Sequence, residues 1–350
     1  MLIVAGRWAD RFGRLRMLNI GITCLVTGAA LAAVAPSLPV LVAMRGIQGI
    51  GAAMMPPASV GLAIAAFPPE RRGTAVAIWS STLAASSVVG PILGGLMIEA
   101  GSWRWAYALV PPMGASALIW GIKVLRETTR DPIIARRVAR HPDPIVPRAV
   151  LRVSSFRVAS SSLFLFGLGF FPVILAMVLY LTEVAGYSTA RAGFAISTLP
   201  IAATVMANIS GHLADRFGYR TIAVPGTLLF SAGAMWLFVR AGEDPSYATD
   251  VLPGLLLIGS GIGSGPTILA GAAVSEIDGK NFSVAGAVNQ TARQLAGAIG
   301  VAVLIAILGG AAGDIDLDSF RRAFVYLAIV AAAASLVAIR LAAPNRPDRG

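Results

Sequence analysis

Ten apolar runs, each long enough to cross a bilayer, are spaced along this chain of 350 residues by short polar connections. A hydrocarbon core needs about 20 predominantly apolar residues per helix. Inside it every backbone N–H and C=O must be satisfied within the chain, which admits helices or a closed barrel. Runs of this length read as helices: Met17–Ala35, Pro39–Phe67, Thr74–Ile98, Trp105–Leu125, Ala159–Leu181, Ala190–Leu213, Thr221–Val239, Val251–Val274, Ser283–Leu308 and Ala323–Leu341. Composition agrees, at 56% hydrophobic and 13% charged residues, where a soluble domain carries about 25% charged. A water-soluble enzyme, a disordered chain and a disulfide-rich secreted scaffold are thereby excluded. The reading is an all-α polytopic membrane protein.

The formal net charge is +11, which in a soluble protein would point to nucleic acid. Here the basic residues lie between apolar runs and report topology. Twenty-one of the 28 Lys and Arg fall on one side, including Arg71, Arg72, Arg216, Arg220, the connection around Arg126–Arg157 and the tail at Arg340, Arg346 and Arg349. Five fall on the other, Arg104, Arg191, Arg240, Arg321 and Arg322, and Arg45 and Arg293 lie within runs. The first side is read as cytoplasmic, with both termini on it, in a multi-pass protein of the cell membrane with lipids as its surroundings and no nucleic-acid partner. Oligomeric state is not encoded in any of these features.

The segment Gly6-Arg-Trp-Ala-Asp10-Arg11-Phe-Gly13-Arg14 recurs as Gly211-His-Leu-Ala-Asp215-Arg216-Phe-Gly218-Tyr219, an offset of 205 residues. Repetition at that distance implies two homologous helical bundles. The chain divides into residues 1–125, a first bundle; 126–157, a basic, proline-bearing cytoplasmic linker; 158–342, a six-helix bundle; and 343–350, a tail. Only Met1–Ala5 precede Gly6, too few for a span, and they read as the last turn of a helix that begins upstream.

On these residues the chain resembles the major facilitator superfamily, most closely its fourteen-helix drug:proton antiporter branch. The resemblance rests on four patterns in family order: the loop Gly6–Arg14; Arg45-x-x-Gln48-Gly49-x-Gly51; Gly90-Pro91-x-x-Gly94-Gly95, followed by Trp103-Arg104-Trp105; and Asn289-Gln290-Thr291-x-Arg293-Gln294-Leu-x-Gly297. Three departures accompany it. Family helix one and most of helix two have no counterpart, the two helices that branch carries between its halves are replaced by Arg126–Arg157, and Ser86 stands where helix five commonly has glycine. The resemblance implies two pseudo-symmetric bundles, here an incomplete first bundle and a complete second one. It also implies proton-coupled efflux of amphipathic small molecules by alternating access, with a small-molecule substrate and protons as partners. The competing expectation is a truncated, transport-incompetent relative.

Roles follow residue by residue. Carboxylates at helix N-termini are stabilising, and the resemblance makes Gly6, Asp10, Arg11, Gly13, Arg14, Gly211, Asp215, Arg216 and Gly218 a conformational lock, with Ser283 and Thr74 beginning the helices that Asp10 and Asp215 would meet. The alternative is a pair of hydrophilic turns. Arg45, with Gln48 at i+3, and the Asn289, Gln290, Arg293 and Gln294 cluster place polar groups inside apolar spans, where they face a cavity or a partner. The resemblance gives Arg45 a part in proton coupling; a snorkelling or helix-pairing arginine is the alternative. All 17 acidic residues fall in loops or at span ends, so no mid-span carboxylate is available for that coupling. Gly90, Pro91, Gly94 and Gly95 read as a small-residue packing face with a kink. Phe164, Phe166, Phe170, Phe171 and Met177 either line a pocket or face lipid. No cofactor, metal ligand set or catalytic constellation is read: His141 and His212 are isolated, and no phosphate-binding loop occurs.

Overall fold

The structure is a computed structural model that describes residues 13–68, 71–125, 148–277, 282–309 and 316–341. Among them lie thirteen α-helices: α1 (Arg14–Ala33), α2 (Leu38–Ala65), α3 (Arg72–Glu99), α4 (Trp103–Ala108), α5 (Val110–Val124), α6 (Arg148–Arg152), α7 (Ser154–Leu179), α8 (Thr189–Ile196), α9 (Thr198–Phe217), α10 (Tyr219–Arg240), α11 (Leu252–Val274), α12 (Phe282–Ile307) and α13 (Leu317–Ala338). Single π-helical turns at Tyr180–Val184 and Tyr247–Val251 extend α7 and precede α11. Together they form ten segments long and apolar enough to span a membrane. Side chains such as Trp120 and Leu336 are 75% and 67% exposed, a surface suited to hydrocarbon rather than water.

Prolines account for two interrupted spans. The run Trp105–Leu125 is divided at Leu109, because Pro111 and Pro112 lack the N–H groups that would bond to Tyr107 and Ala108. The run Ala190–Leu213 is divided at Ser197, three residues ahead of Pro200. The last span begins at Leu317, six residues before the apolar run, and its N-terminus is capped by Asp316, which accepts the Ser319 N–H at 2.8 Å. Hydrogen bonds from the Ser319 backbone N–H and then its side chain hold the Asp316 carboxyl below its ordinary range. Arg321 and Arg322 therefore lie in the first turns of α13 rather than in the preceding loop.

Contacts divide the chain into two units, Met1–Ser86 with Leu93–Ile145, and Ser87–Ile92 with Val146–Gly350. In the first, α1 and α2 approach through glycines. A Cβ on Gly51 would lie 2.5 Å from the Gly21 carbonyl oxygen and 2.8 Å from the Leu25 nitrogen. Arg104 donates to the Ala35 carbonyl at 3.2 Å and lies 4.4 Å from the Trp103 ring centroid, tying α4 to the end of α1.

The second unit has an aromatic core around Phe166, Phe230, Tyr180, Phe320 and Phe324. The Tyr180 hydroxyl donates to the Gly242 carbonyl at 2.9 Å and accepts its N–H at 3.1 Å. Hydroxyls also bind neighbouring helices through their backbones: Ser162 to Ala334 at 2.7 Å, Ser231 to Ala328 at 2.9 Å and Tyr326 to Leu168 at 2.9 Å. Such bonds matter where lipid tails remove the hydrophobic drive for helix association. Helix α11 carries glycines on two faces: Gly259 and Gly263 lie against Leu199 and Ala203 of α9, and Gly261 and Gly265 against Phe230 and Thr227 of α10. The alternation lets one helix touch two neighbours at backbone distance.

Candidate functional site

The duplicated loops end in matching geometry. Gly13 (φ 103°, ψ 137°) and Gly218 (φ 86°, ψ 157°) stand 205 positions apart, and each immediately precedes a helix, α1 or α10. This backbone region is essentially closed to residues with a Cβ. Gly218 alone separates α9 from α10, so one residue makes the turn. Gly218→Ala is expected to cost about 1–3 kcal/mol, whereas Gly211→Ala, in open space within α9, leaves stability unchanged or raised. Thermal unfolding of the two variants in one detergent separates them; equal midpoints would contradict the strain argument.

Of the remaining lock residues, Gly6, Asp10 and Arg11 lie outside the described residues, as does the Ser283 side chain. Arg14 reaches back over α2, donating to the Gly61 carbonyl at 3.2 Å. Asp215 and Arg216 are exposed at the end of α9, with the Arg216 guanidinium 5.3 Å from the Phe217 ring centroid.

Arg45 is the eighth residue of α2, about 10 Å along its axis. Its Nη1 donates to Gln48 Oε1 at 2.7 Å, and the guanidinium lies 5.8 Å from the Tyr107 ring centroid. Gln48 follows Arg45 by one turn on the same face of α2, so the amide and the guanidinium meet over the span. Gln48 is 5% exposed, its Cγ packs where a Cβ on Gly28 would sit, and its Nε2 has no partner. The amide is thus fixed by packing and by Arg45 alone. Arg45 itself is exposed on the helix surface.

The second polar cluster joins α7 and α12. Arg293 is the twelfth of the 26 residues of α12, near its midpoint. Its Nη2 donates to Gln290 Oε1 at 2.7 Å, its guanidinium lies 5.7 Å from the Phe170 ring centroid, and its Nε is buried without a partner. Four residues earlier, buried Asn289 accepts the Ser160 hydroxyl of α7 at 2.5 Å. Gly167 allows this approach, since a Cβ there would lie 2.9 Å from Ala296 Cβ and 3.2 Å from the Arg293 carbonyl oxygen. Asn289 with Ser160 and Gln290 with Arg293 thus make two hydrogen-bonded pairs within one stretch of α12, while Gln294 is exposed. Ser160 was not legible as a site residue; its one signal was a serine run opening an otherwise apolar helix.

The glycine-proline motif of α3 behaves differently from a uniform packing face. Nothing lies within 4 Å of where a Cβ on Gly90 or Gly94 would stand, while Gly95 is buried. Close approach runs instead through Pro91, whose carbonyl oxygen would be 2.6 Å from a Cβ on Gly193, and through Val88, which accepts the Ser197 hydroxyl at 3.1 Å. Helix α3 continues through Pro91 without interruption. Among the aromatic candidates, Phe166 and Met177 are 2% and 0% exposed and belong to the core of the second unit, not to a pocket lining. Phe170 lies beside the Arg293 guanidinium, and Phe171 packs where a Cβ on Gly297 would stand. Among the described residues no cluster of three or more His, Cys, Asp or Glu could hold a metal ion.

Comparison with known proteins agrees with this architecture. The sequence profile of the Major Facilitator Superfamily matches residues 1–301. The chain is 26% identical to the tetracenomycin C resistance and export protein of Streptomyces glaucescens, covering 92% of this chain and 69% of that one. It is 29% identical to a puromycin resistance protein of Streptomyces alboniger, covering 89% and 72%. The crystal structure of a D-xylose-proton symporter superposes with a TM-score of 0.72 at 17% identity, covering 97% of this chain and 84% of that one, which establishes the fold. The chain is a multi-pass membrane transporter protein of the Major Facilitator Superfamily.

Proposed function

We propose that this protein is a secondary active exporter of amphipathic small molecules, driven by protons and working by alternating access in the cell membrane with both termini cytoplasmic. The observation that carries the reading is a guanidinium held on a glutamine amide inside an apolar span in each unit, Arg45 on Gln48 and Arg293 on Gln290. Charged groups at such depth are costly, and they belong to substrate or ion pathways. The names of the relatives, a tetracenomycin C export protein and a puromycin resistance protein, support export of organic molecules.

In this reading Arg45 is the coupling residue and Gln48 aims it. The loops at 6–14 and 211–219 act as the lock, each carboxylate contributing about 1–2 kcal/mol at a helix N-terminus. That is enough to bias a two-state equilibrium without freezing it. The strongly basic connections support a cytoplasmic position for that lock.

The test is flux in proteoliposomes. Purified protein is reconstituted with a fluorescent amphipathic dye, and a pH step is imposed across the membrane. Dye movement that follows the pH gradient and collapses with a protonophore supports the proposal. Flux equal to that of protein-free vesicles, with correctly folded and inserted protein, would leave a family member that does not transport.

A further inference from the structure

Among the described residues, the charges set deep inside the membrane-spanning segments, away from their ends, have one sign. Arg45 and Arg293 lie well within α2 and α12, and their nearest polar partners are neutral amides. Carboxylates of the described spans cluster at their ends: Glu99 closes α3, Asp215 is two residues from the end of α9, Glu183 lies in the π-turn after α7, Asp250 in the turn before α11, and Asp318 is the second residue of α13. Asp250 is also engaged, accepting from Arg240 and from the Ser246 N–H. Among the described residues neither Arg45 nor Arg293 has a carboxylate partner.

The Arg293 assembly goes further than an unpaired charge. Its polar groups, Ser160 of α7 and Asn289, Gln290 and Arg293 of α12, lie along the contact of these two helices. The Arg293 Nε is buried and unpartnered, and one of its guanidinium hydrogen bonds is spent on Gln290. Asn289 has its oxygen committed to the Ser160 hydroxyl. The Phe170 ring lies beside the guanidinium and supplies an apolar wall. A planar cation with spare N–H donors next to an aromatic face suits a carboxylate or phenolate carried on an apolar body, because guanidinium pairs with planar anions through parallel hydrogen bonds. Among the described residues, a lipophilic cation at this position would meet like charge and amide groups, with no carboxylate to receive it.

We infer that the Arg293 assembly is a substrate subsite for the anionic group of an amphipathic organic acid, so that the protein selects anions over lipophilic cations. This rests on the reading of the chain as a transporter of amphipathic molecules, but it concerns binding and is tested without transport. The probes are pyrenebutyrate, its neutral methyl ester and a pyrenylalkyl trimethylammonium of matched length, titrated by fluorescence against the purified full chain in a neutral detergent. The anion is expected to bind about ten- to a hundred-fold more tightly than the cation, the range of a charge-assisted pair. Arg293→Gln removes that preference and leaves the ester unchanged, while Arg293→Lys retains part of it. Cation binding as tight as that of the anion in the unmodified protein overturns the inference, as does an Arg293→Gln loss shared equally by the ester. Anion-selective binding without flux in proteoliposomes would uphold this subsite while removing the transport reading. Flux of the cation probe, unaffected by Arg293→Gln, would do the reverse.

Discussion

Gly263→Val is expected to be the most damaging single substitution in the second unit, with little monodisperse protein recovered from detergent. The position lies on the face of α11 turned towards α9, where a side chain would run into the carbonyl of Ala203 and come within 2.9 Å of the Ala207 nitrogen. Those atoms belong to helix backbone, so no rotamer change can relieve the overlap; the helices must separate. Overpacking of this kind costs about 3 kcal/mol, the upper part of the usual range. Separation would also disturb the opposite face, where Gly261 already brings α11 against the Phe230 backbone. The control is Gly286→Val on α12, where nothing lies within 4 Å of the added Cβ. Fluorescence-detected size exclusion and thermal unfolding of both variants check the expectation. An unchanged profile and midpoint for Gly263→Val would mean that α9 and α11 do not meet at backbone distance.

Arg45→Ala is expected to abolish dye accumulation driven by a pH gradient while leaving dye exchange in the absence of a gradient. The physical basis is the orientation of the side chain. Arg45 is held along the span by Gln48 and lies beside Tyr107, so its loss removes a fixed positive charge from an apolar stretch about 10 Å from the start of α2. It also strands Gln48, whose Nε2 already lacks a partner and whose oxygen would then lose its donor. Leaving such groups buried and unpaired costs about 1–3 kcal/mol, which is why folding must be measured beside flux. Gln48→Leu with Arg45 retained separates the two effects, since it keeps the charge but removes its support. Full gradient-driven accumulation by a folded Arg45→Ala protein would take Arg45 out of the coupling step.

The contrast between the two predictions reflects what a linear sequence carries. Arg45 was visible because a charge inside an apolar run is anomalous whatever surrounds it. The glycines of α11 were equally present in the sequence, yet their meaning depends on which neighbours their two faces meet. The same limit applies to Gly90 and Gly94, which carry a family pattern but make no close approach, while the contact at that level falls to Pro91 and Gly193. Phe166 and Met177 look the same as Phe170 in hydropathy; only packing separates two core residues from one that stands beside a guanidinium.

What the sequence by itself determined was the class of fold, the number of spans and the duplication of the two loops. Those properties are local or periodic: apolar length is set by bilayer thickness, and a repeated loop is a repeated string. The matching positive φ of Gly13 and Gly218 was implicit there too, since a glycine between two helical patterns marks such a turn. Tertiary structure alone decided that Ser160 completes the Asn289 group and that Arg293 Nε is left with a free donor. Hydrogen bonds between distant residues and the fit of one helix against another depend on rotation and depth to within about 1 Å. Hydropathy places a helix in the membrane without fixing either.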